Sequence, residues 1–221
     1  MHSEQTAIAA VRPRPRKTQA ERRAESERRI IEAAVELIAE KGLGRLTLAE
    51  IGDKAGYSRG LPAHIFGTKS NLLIQLTRKI TETRVERMAG VDPQGGLDSL
   101  FAAILTWLRL VEENQHATRV YYILVGETYY SDSDESYPDI KRLVEANDEQ
   151  VRAQFALYFR NAIASGEIPR DVDALTQARF VFAMLRGLVS QWFTENSPVD
   201  LQQIGRTYLD ELRRRFADAA K

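Results

Sequence analysis

The sequence predicts an all-α protein of about nine helices, with an N-terminal helix-turn-helix unit followed by a longer helical remainder. Three observations predict it. Apolar residues recur at three- and four-residue spacing along most of the chain, and no run alternates with period two for long enough to make a strand. The breaks between periodic segments carry Gly, Pro or helix-capping residues.

Composition narrows the class before any element is placed. Of 221 residues, 43% are hydrophobic and 28% charged, with 13 Gly and 7 Pro, so the chain can bury a sizeable core and is not low-complexity. It has no Cys, which excludes disulfides, thiolate metal sites and thiol catalysis and matches a reducing compartment. The longest apolar stretch near the start, Ile8 to Val11, is far too short for a signal-peptide core or a membrane helix. The expectation is a cytoplasmic protein without membrane attachment. Net charge is zero but lopsided: residues 1–80 carry 15 Lys/Arg against 9 Asp/Glu, and residues 81–221 carry 16 against 22. The basic end suits a polyanion, although solvated charged faces alone would give the same count.

Each element has a local cause. Residues 1–17 interleave Arg12, Arg14, Arg16 and Lys17 with Pro13 and Pro15, which keep the segment extended; it reads as a disordered basic arm, either tracking DNA or aiding solubility. Thr18-Gln19-Ala20-Glu21 is a capping box that opens the first helix; Ile30, Ala34, Leu37, Ile38 and Lys41 follow helical spacing up to Gly42. Thr47-Leu48-Ala49-Glu50 is a second capping box, opening a short helix that places Leu48, Ile51 and Ala55 on one face and ends at Gly56. Ser58 then reads as the N-cap of a third helix from about Arg59 to Phe66, with Gly67-Thr68 closing it. Two short helices around a tight turn are the helix-turn-helix geometry.

Further helices are expected at about 69–89, 97–113, 115–130, 138–165, 173–195 and 199–218. Pro93 lies in the first break, the acidic run Ser131 to Tyr137 forms the third, and Gly166 with Pro169 forms the fourth. Ser197-Pro198 reads as an N-cap followed by a first-turn proline.

Catalysis finds no support in these patterns. His2, His64 and His116 are isolated, Glu112-Glu113 face different sides of one helix, and there is no Gly-rich phosphate loop and no metal-ligand spacing. Asp132-Ser133-Asp134-Glu135 lacks the ordered twelve-residue calcium loop and reads as a solvated turn. Neither a cofactor nor a metal is expected.

The run Ile30 to Gly42, then Leu46-Thr47, then Ile51 to Gly60, then His64-Ile65-Phe66-Gly67-Thr68-Lys69 resembles, in order and spacing, the TetR family of transcriptional regulators. The resemblance implies a homodimeric DNA-binding repressor whose C-terminal helices bind a small molecule, with domains at 18–68 and 69–221. In a helix-turn-helix the second helix enters the major groove. Arg59 can then fork onto guanine or pair with a phosphate, Gly60 lets backbone approach, and Leu61 can meet a thymine methyl or pack in the core. Thr47, Tyr57, Ser58, His64 and Lys69 suit phosphate contacts. Two departures stand out: Pro62 replaces the usual core aliphatic, where it should alter the helix pitch, and Ala63 replaces the usual phosphate-binding Tyr.

Two further expectations concern the remainder. Trp107, Tyr122, Tyr129, Phe155 and Phe159 offer an apolar lining with hydroxyl handles for an aromatic or amphipathic effector, or else plain core. Phe182, Leu185, Val189 and Trp192, with Tyr208 and Leu212, form faces that either pair two copies in a four-helix interface or complete the monomer core. The competing functional class is a DNA-binding protein without a small-molecule effector.

Overall fold

The computed structural model describes residues 18–130, 137–194 and 199–219, and the expectations for the basic arm, the acidic turn before Tyr137 and the Ser197-Pro198 cap lie outside them. Among the described residues there are nine helices and no strand: α1 Gln19–Lys41, α2 Leu48–Lys54, α3 Leu61–Phe66, α4 Lys69–Met88, α5 Leu97–Glu113, α6 Gln115–Tyr130, α7 Pro138–Ser165, α8 Ala174–Thr194 and α9 Leu201–Ala219. The all-α expectation holds in element number and order. Both capping boxes form, Thr18 with Glu21 and Thr47 with Glu50, each supplying two orphan N–H groups with acceptors.

Side chains bury into two cores. The first joins Ile30, Ala34 and Ile38 of α1, Ile51 of α2 and Leu72, Leu73 and Leu76 of α4 to Val120, Leu124 and Val125 of α6 and Ile140 and Val144 of α7. The second is built from α5, the later part of α7, α8 and α9 around Leu100, Ile104, Leu108, Phe159 and Phe216. Helix α7, 28 residues and so about 42 Å long at 1.5 Å per residue, contributes to both. The helix-turn-helix is thus not an independent bead, because α6 and the start of α7 complete its core.

One long-range contact was invisible in the sequence. Gly96 precedes α5 without a side-chain cap; the Glu167 carboxylate, just beyond α7, accepts from the Leu97 N–H at 3.1 Å instead. A negative group at a helix N-terminus also complements the dipole.

A candidate nucleic-acid interface and a buried polar cluster

Helix α2 ends in a left-handed turn. The Gly56 N–H donates to the Asp53 carbonyl at 3.1 Å and the Tyr57 N–H to the Gly52 carbonyl at 2.9 Å, with Gly56 at φ 75°. This double closure is the Schellman arrangement, and it turns the chain sharply toward α3. The two helices meet at Gly52, where an added Cβ would lie 2.7 Å from the Ser58 carbonyl oxygen and 3.2 Å from Pro62 Cδ. No other side chain fits there without parting the helices.

The third helix starts later than the spacing suggested, at Leu61 with Gly60 as N-cap. The cause is Pro62. A Ser58 N-cap would need its carbonyl to accept from residue 62, which has no N–H; the Leu61 N–H donates to Ser58 instead at 3.0 Å, a tighter turn. Pro62 itself sits in the first turn, where an N–H has no intrahelical acceptor, and its ring is buried against α2. The expected change of pitch is therefore replaced by a shorter helix.

This frame leaves a contiguous exposed edge: Thr47 at the start of α2, then Ser58, Arg59 and Gly60, then Ala63 and His64. Arg59 is 71% exposed, with only a loose 3.4 Å approach to Asp53. Such a pair contributes little in water and yields readily to a better acceptor. Two other cations near α2 are engaged: Lys54 pairs with Glu36 at 3.0 Å, and Lys41 with Glu50 at 2.7 Å. Hydrogen bonds from Lys41 and then Thr47 hold the Glu50 carboxyl down at about 2. Hydrogen bonding to Glu36, backed by the charges of Glu40 and Glu36, raises the Lys54 ammonium above its usual value.

Three expected contact residues take up structural positions. Leu61 is half-buried and packs on the first core. Tyr57 is half-buried, with the Arg29 guanidinium 5.1 Å from its ring centroid, a pairing the sequence gave no sign of. Lys69 donates to the Leu43 carbonyl at 2.9 Å, tying the start of α4 to the loop after α1. Thr68 caps α4 through the Asn71 N–H at 3.1 Å.

Residues 30–76 match the sequence family described as bacterial regulatory proteins, tetR family, and residues 97–216 match the BetI-type transcriptional repressor C-terminal family. The chain belongs to the tetR family. It is therefore a DNA-binding transcriptional regulator. The regulator BetI of Stenotrophomonas maltophilia is 31% identical over 72% of this chain and 76% of its own length. The regulator TtgR of Pseudomonas putida is 28% identical over 80% of this chain and 84% of its own. Among solved structures, a complex of the Stenotrophomonas maltophilia repressor SmeT with triclosan superposes with a TM-score of 0.70 at 21% identity, covering 84% of this chain and 88% of that one.

Behind the tetR-family reading head lies a second polar cluster, between α4, α6, α7 and α8. The Arg186 Nη2 donates to both oxygens of buried Asp148, at 2.6 and 2.7 Å. The Tyr121 hydroxyl donates to Asp148 at 3.3 Å and accepts from Asn147 at 3.0 Å. Burial pushes the Tyr121 and Tyr122 hydroxyls up to about 12, so both remain neutral donors at any ordinary pH. A cavity of about 20 Å³, room for about one water, lies among these groups.

The expected effector residues divide. Trp107, Tyr122 and Phe155 line this cavity. Phe159 does not; it is fully buried with its ring centroid 6.2 Å from that of Phe216. Tyr129 is 42% exposed near the end of α6, beneath Lys141. What sequence reasoning missed is the polar half of the lining: Arg84, Asn147, Asp148 and Arg186 form no local motif.

The expected pairing faces need a larger correction. Leu185, Val189 and Leu212 are buried in the chain's own second core and have no surface to offer another copy. Phe182 lies under the Arg152 and Arg186 guanidinium groups, at 5.3 and 5.0 Å, and Trp192 and Tyr208 are half-buried at the core's margin. Leu185, Val189 and Leu212 therefore take the monomer-core alternative, while Phe182, Trp192 and Tyr208 keep part of their surface. The opposite side of α8 carries exposed Phe180, 60% accessible, with Ala183 and Gly187, and α9 exposes Ile204.

No described helix is long and apolar enough to cross a membrane, and no group of three potential metal-ligating side chains occurs among the described residues.

Proposed function

We propose that the chain is a repressor that binds a pseudo-palindromic operator as a homodimer in the cytoplasm and leaves it when a small amphipathic molecule enters the α4–α8 cluster. The observation that carries this reading is the exposed Ser58–His64 edge, presented by a backbone whose close approach at Gly52 and left-handed turn at Gly56 both need glycine. Residues 18–68 form the reading domain and 69–221 the effector and pairing domain, coupled through the shared first core. Ser58, Arg59, Gly60 and His64 face the duplex, Arg59 as the base reader, while Thr47 supplies a phosphate contact as well as a cap. Tyr57 and Lys69 act chiefly by positioning.

Pairing uses Phe180, Ala183 and Gly187 of α8 with Ile204 of α9. Small residues let two helices approach closely, and the large exposed ring provides the anchor. Two-fold symmetry then sets the reading helices about 34 to 36 Å apart, one turn of B-DNA. SmeT, whose solved complex holds triclosan, supports a hydrophobic effector for a chain of the same fold.

Release follows from a population shift. Helix α4 is tied to the reading domain at Lys69 and reaches the polar cluster at Arg84, so a ligand that favours a tilted α4 disfavours the DNA-competent spacing. The test is operator affinity of the purified protein with and without a panel of hydrophobic and amphipathic compounds. At least one is expected to weaken binding about fivefold or more. Intact operator binding that no compound alters would leave the alternative without an effector.

A further inference from the structure

Arg84 is the one charged group in the cluster without a bonded counter-ion among the described residues, the Asp148 carboxylate acting on it only through space. Its guanidinium stacks over the Tyr121 ring at 4.9 Å and lines the cavity, yet among the described residues it makes no hydrogen bond or ion pair. Asp148, the cluster's carboxylate, is already held at both oxygens by Arg186. The cavity therefore has two cations and one anion, walled by Trp107, Tyr122, Phe155 and Phe182. A half-buried guanidinium whose other side borders an open, acidic groove is costly to leave without a bonded anion on the cavity side, and burial pushes its pKa down. The neutral Tyr hydroxyls add donors but no negative charge.

We propose that Arg84 is the anchor for an aromatic monocarboxylate, making this cavity a site for organic anions rather than for neutral or cationic effectors. The inference rests on the effector reading above and specifies its ligand class. A carboxylate would take the guanidinium in the planar fork that Arg presents, while its ring would replace packing among the aromatic walls. One carboxylate balances the site; a dianion would overcharge it, and an ammonium would repel both Arg84 and Arg186.

The cavity's present size gives the binding a mechanical consequence. About 20 Å³ cannot hold an aromatic ring, so entry must part the walls. Helices α7 and α8 are locked by the Asp148–Arg186 bridge and the second core, whereas α4 contributes Arg84 alone to the cavity lining. The ligand's charge thus acts on the helix that carries the reading domain.

Calorimetry of the full chain with naphthoate, naphthamide and naphthylmethylammonium tests the assignment. The carboxylate should bind on the order of ten- to a hundredfold more tightly than the amide, with the ammonium weakest. Arg84→Met, which keeps the stem and removes the charge, should abolish the preference while retaining amide binding, and Arg84→Lys should restore part of it. In the same series naphthoate should weaken operator binding by the wild type but not by Arg84→Met. Equal affinities, no heat from any of the three at millimolar concentration, or a preference that survives in Arg84→Met would overturn the proposal. The effector reading fails separately, only if no member of the wider hydrophobic panel alters operator affinity.

Discussion

The reading head and the C-terminal bundle are both apolar cores wrapped in helices, but they are specified in different ways. In the reading head the backbone carries the information: a Schellman turn at Gly56, a contact at Gly52 that admits no Cβ, two capping boxes and a proline that delays α3. In the bundle the side chains carry it, through long amphipathic helices such as α8, whose core face is unbroken from Ala178 to Val189. Backbone-specified geometry is sensitive to a single methyl group. Side-chain-specified packing is sensitive to volume and tolerant of detail.

The largest expected effect separates inside from outside within the bundle. Phe159→Ala, which removes a fully buried ring against Phe216, should cost about 3 to 5 kcal/mol of stability by denaturant unfolding. Phe180→Ala, at a 60% exposed position on the other side of the second core, should leave the isolated fold within about 0.5 kcal/mol. Its effect should appear in the dimer, as a dissociation constant raised by about tenfold in sedimentation. A large loss of fold stability from Phe180→Ala would mean that the assignment of faces is reversed.

Gly52→Ala probes the other kind of specification. The new methyl meets the Ser58 carbonyl at 2.7 Å, and relieving it should cost about 1 to 3 kcal/mol and displace α3. Operator affinity should fall by roughly a hundredfold or more with helical content almost unchanged, as read by anisotropy and circular dichroism. Normal DNA binding by this variant would show that the α2–α3 angle is not what reads the duplex.

Arg59 and Lys69 sharpen the distinction between reading and positioning. Arg59→Ala should remove about 1 to 3 kcal/mol of discrimination at one half-site position. Lys69→Met breaks the 2.9 Å bond to Leu43 and should weaken all sequences alike without changing the salt dependence of binding. A slope reduced by about one for Lys69→Met would return the ammonium to a phosphate contact.

The smallest effect is a pH dependence. The Glu50 carboxyl is held at about 2 against an ordinary 4.5, so its contribution is present above about 4.5 and lost as pH falls toward 2. The Glu50 side chain is 42% exposed and its pairing with Lys41 lies near the surface, so the contribution is small. Thermal unfolding of wild type and Glu50→Gln should differ slightly at neutral pH and converge across that window; a difference that widens on acidification would reverse the sign.

These contrasts also explain what was legible in the sequence. Capping boxes at Thr18 and Thr47 are local chemistry, written within four residues, and both formed as expected. Ser58 looks like a cap locally, but α3 starts at Leu61, because the missing N–H that decides the matter belongs to Pro62. On α8 and α9 the apolar period was correct, yet periodicity marks a buried face without saying what buries it. Leu185 and Leu212 meet their own chain. The polar cluster was illegible for a further reason: Arg84, Asp148 and Arg186 are 38 or more residues apart in every pairing, and only the packing of α4, α7 and α8 brings them together.

The most direct test of the central claim is selection of bound duplexes from random DNA by the purified, ligand-free protein at low ionic strength. The exposed edge of α2–α3 on a two-fold dimer should enrich an inverted repeat whose half-sites are centred one helical turn apart, and Gly52→Ala should enrich nothing. Recovery of no preferred sequence by the wild type, or of a motif without two-fold symmetry, would contradict the account.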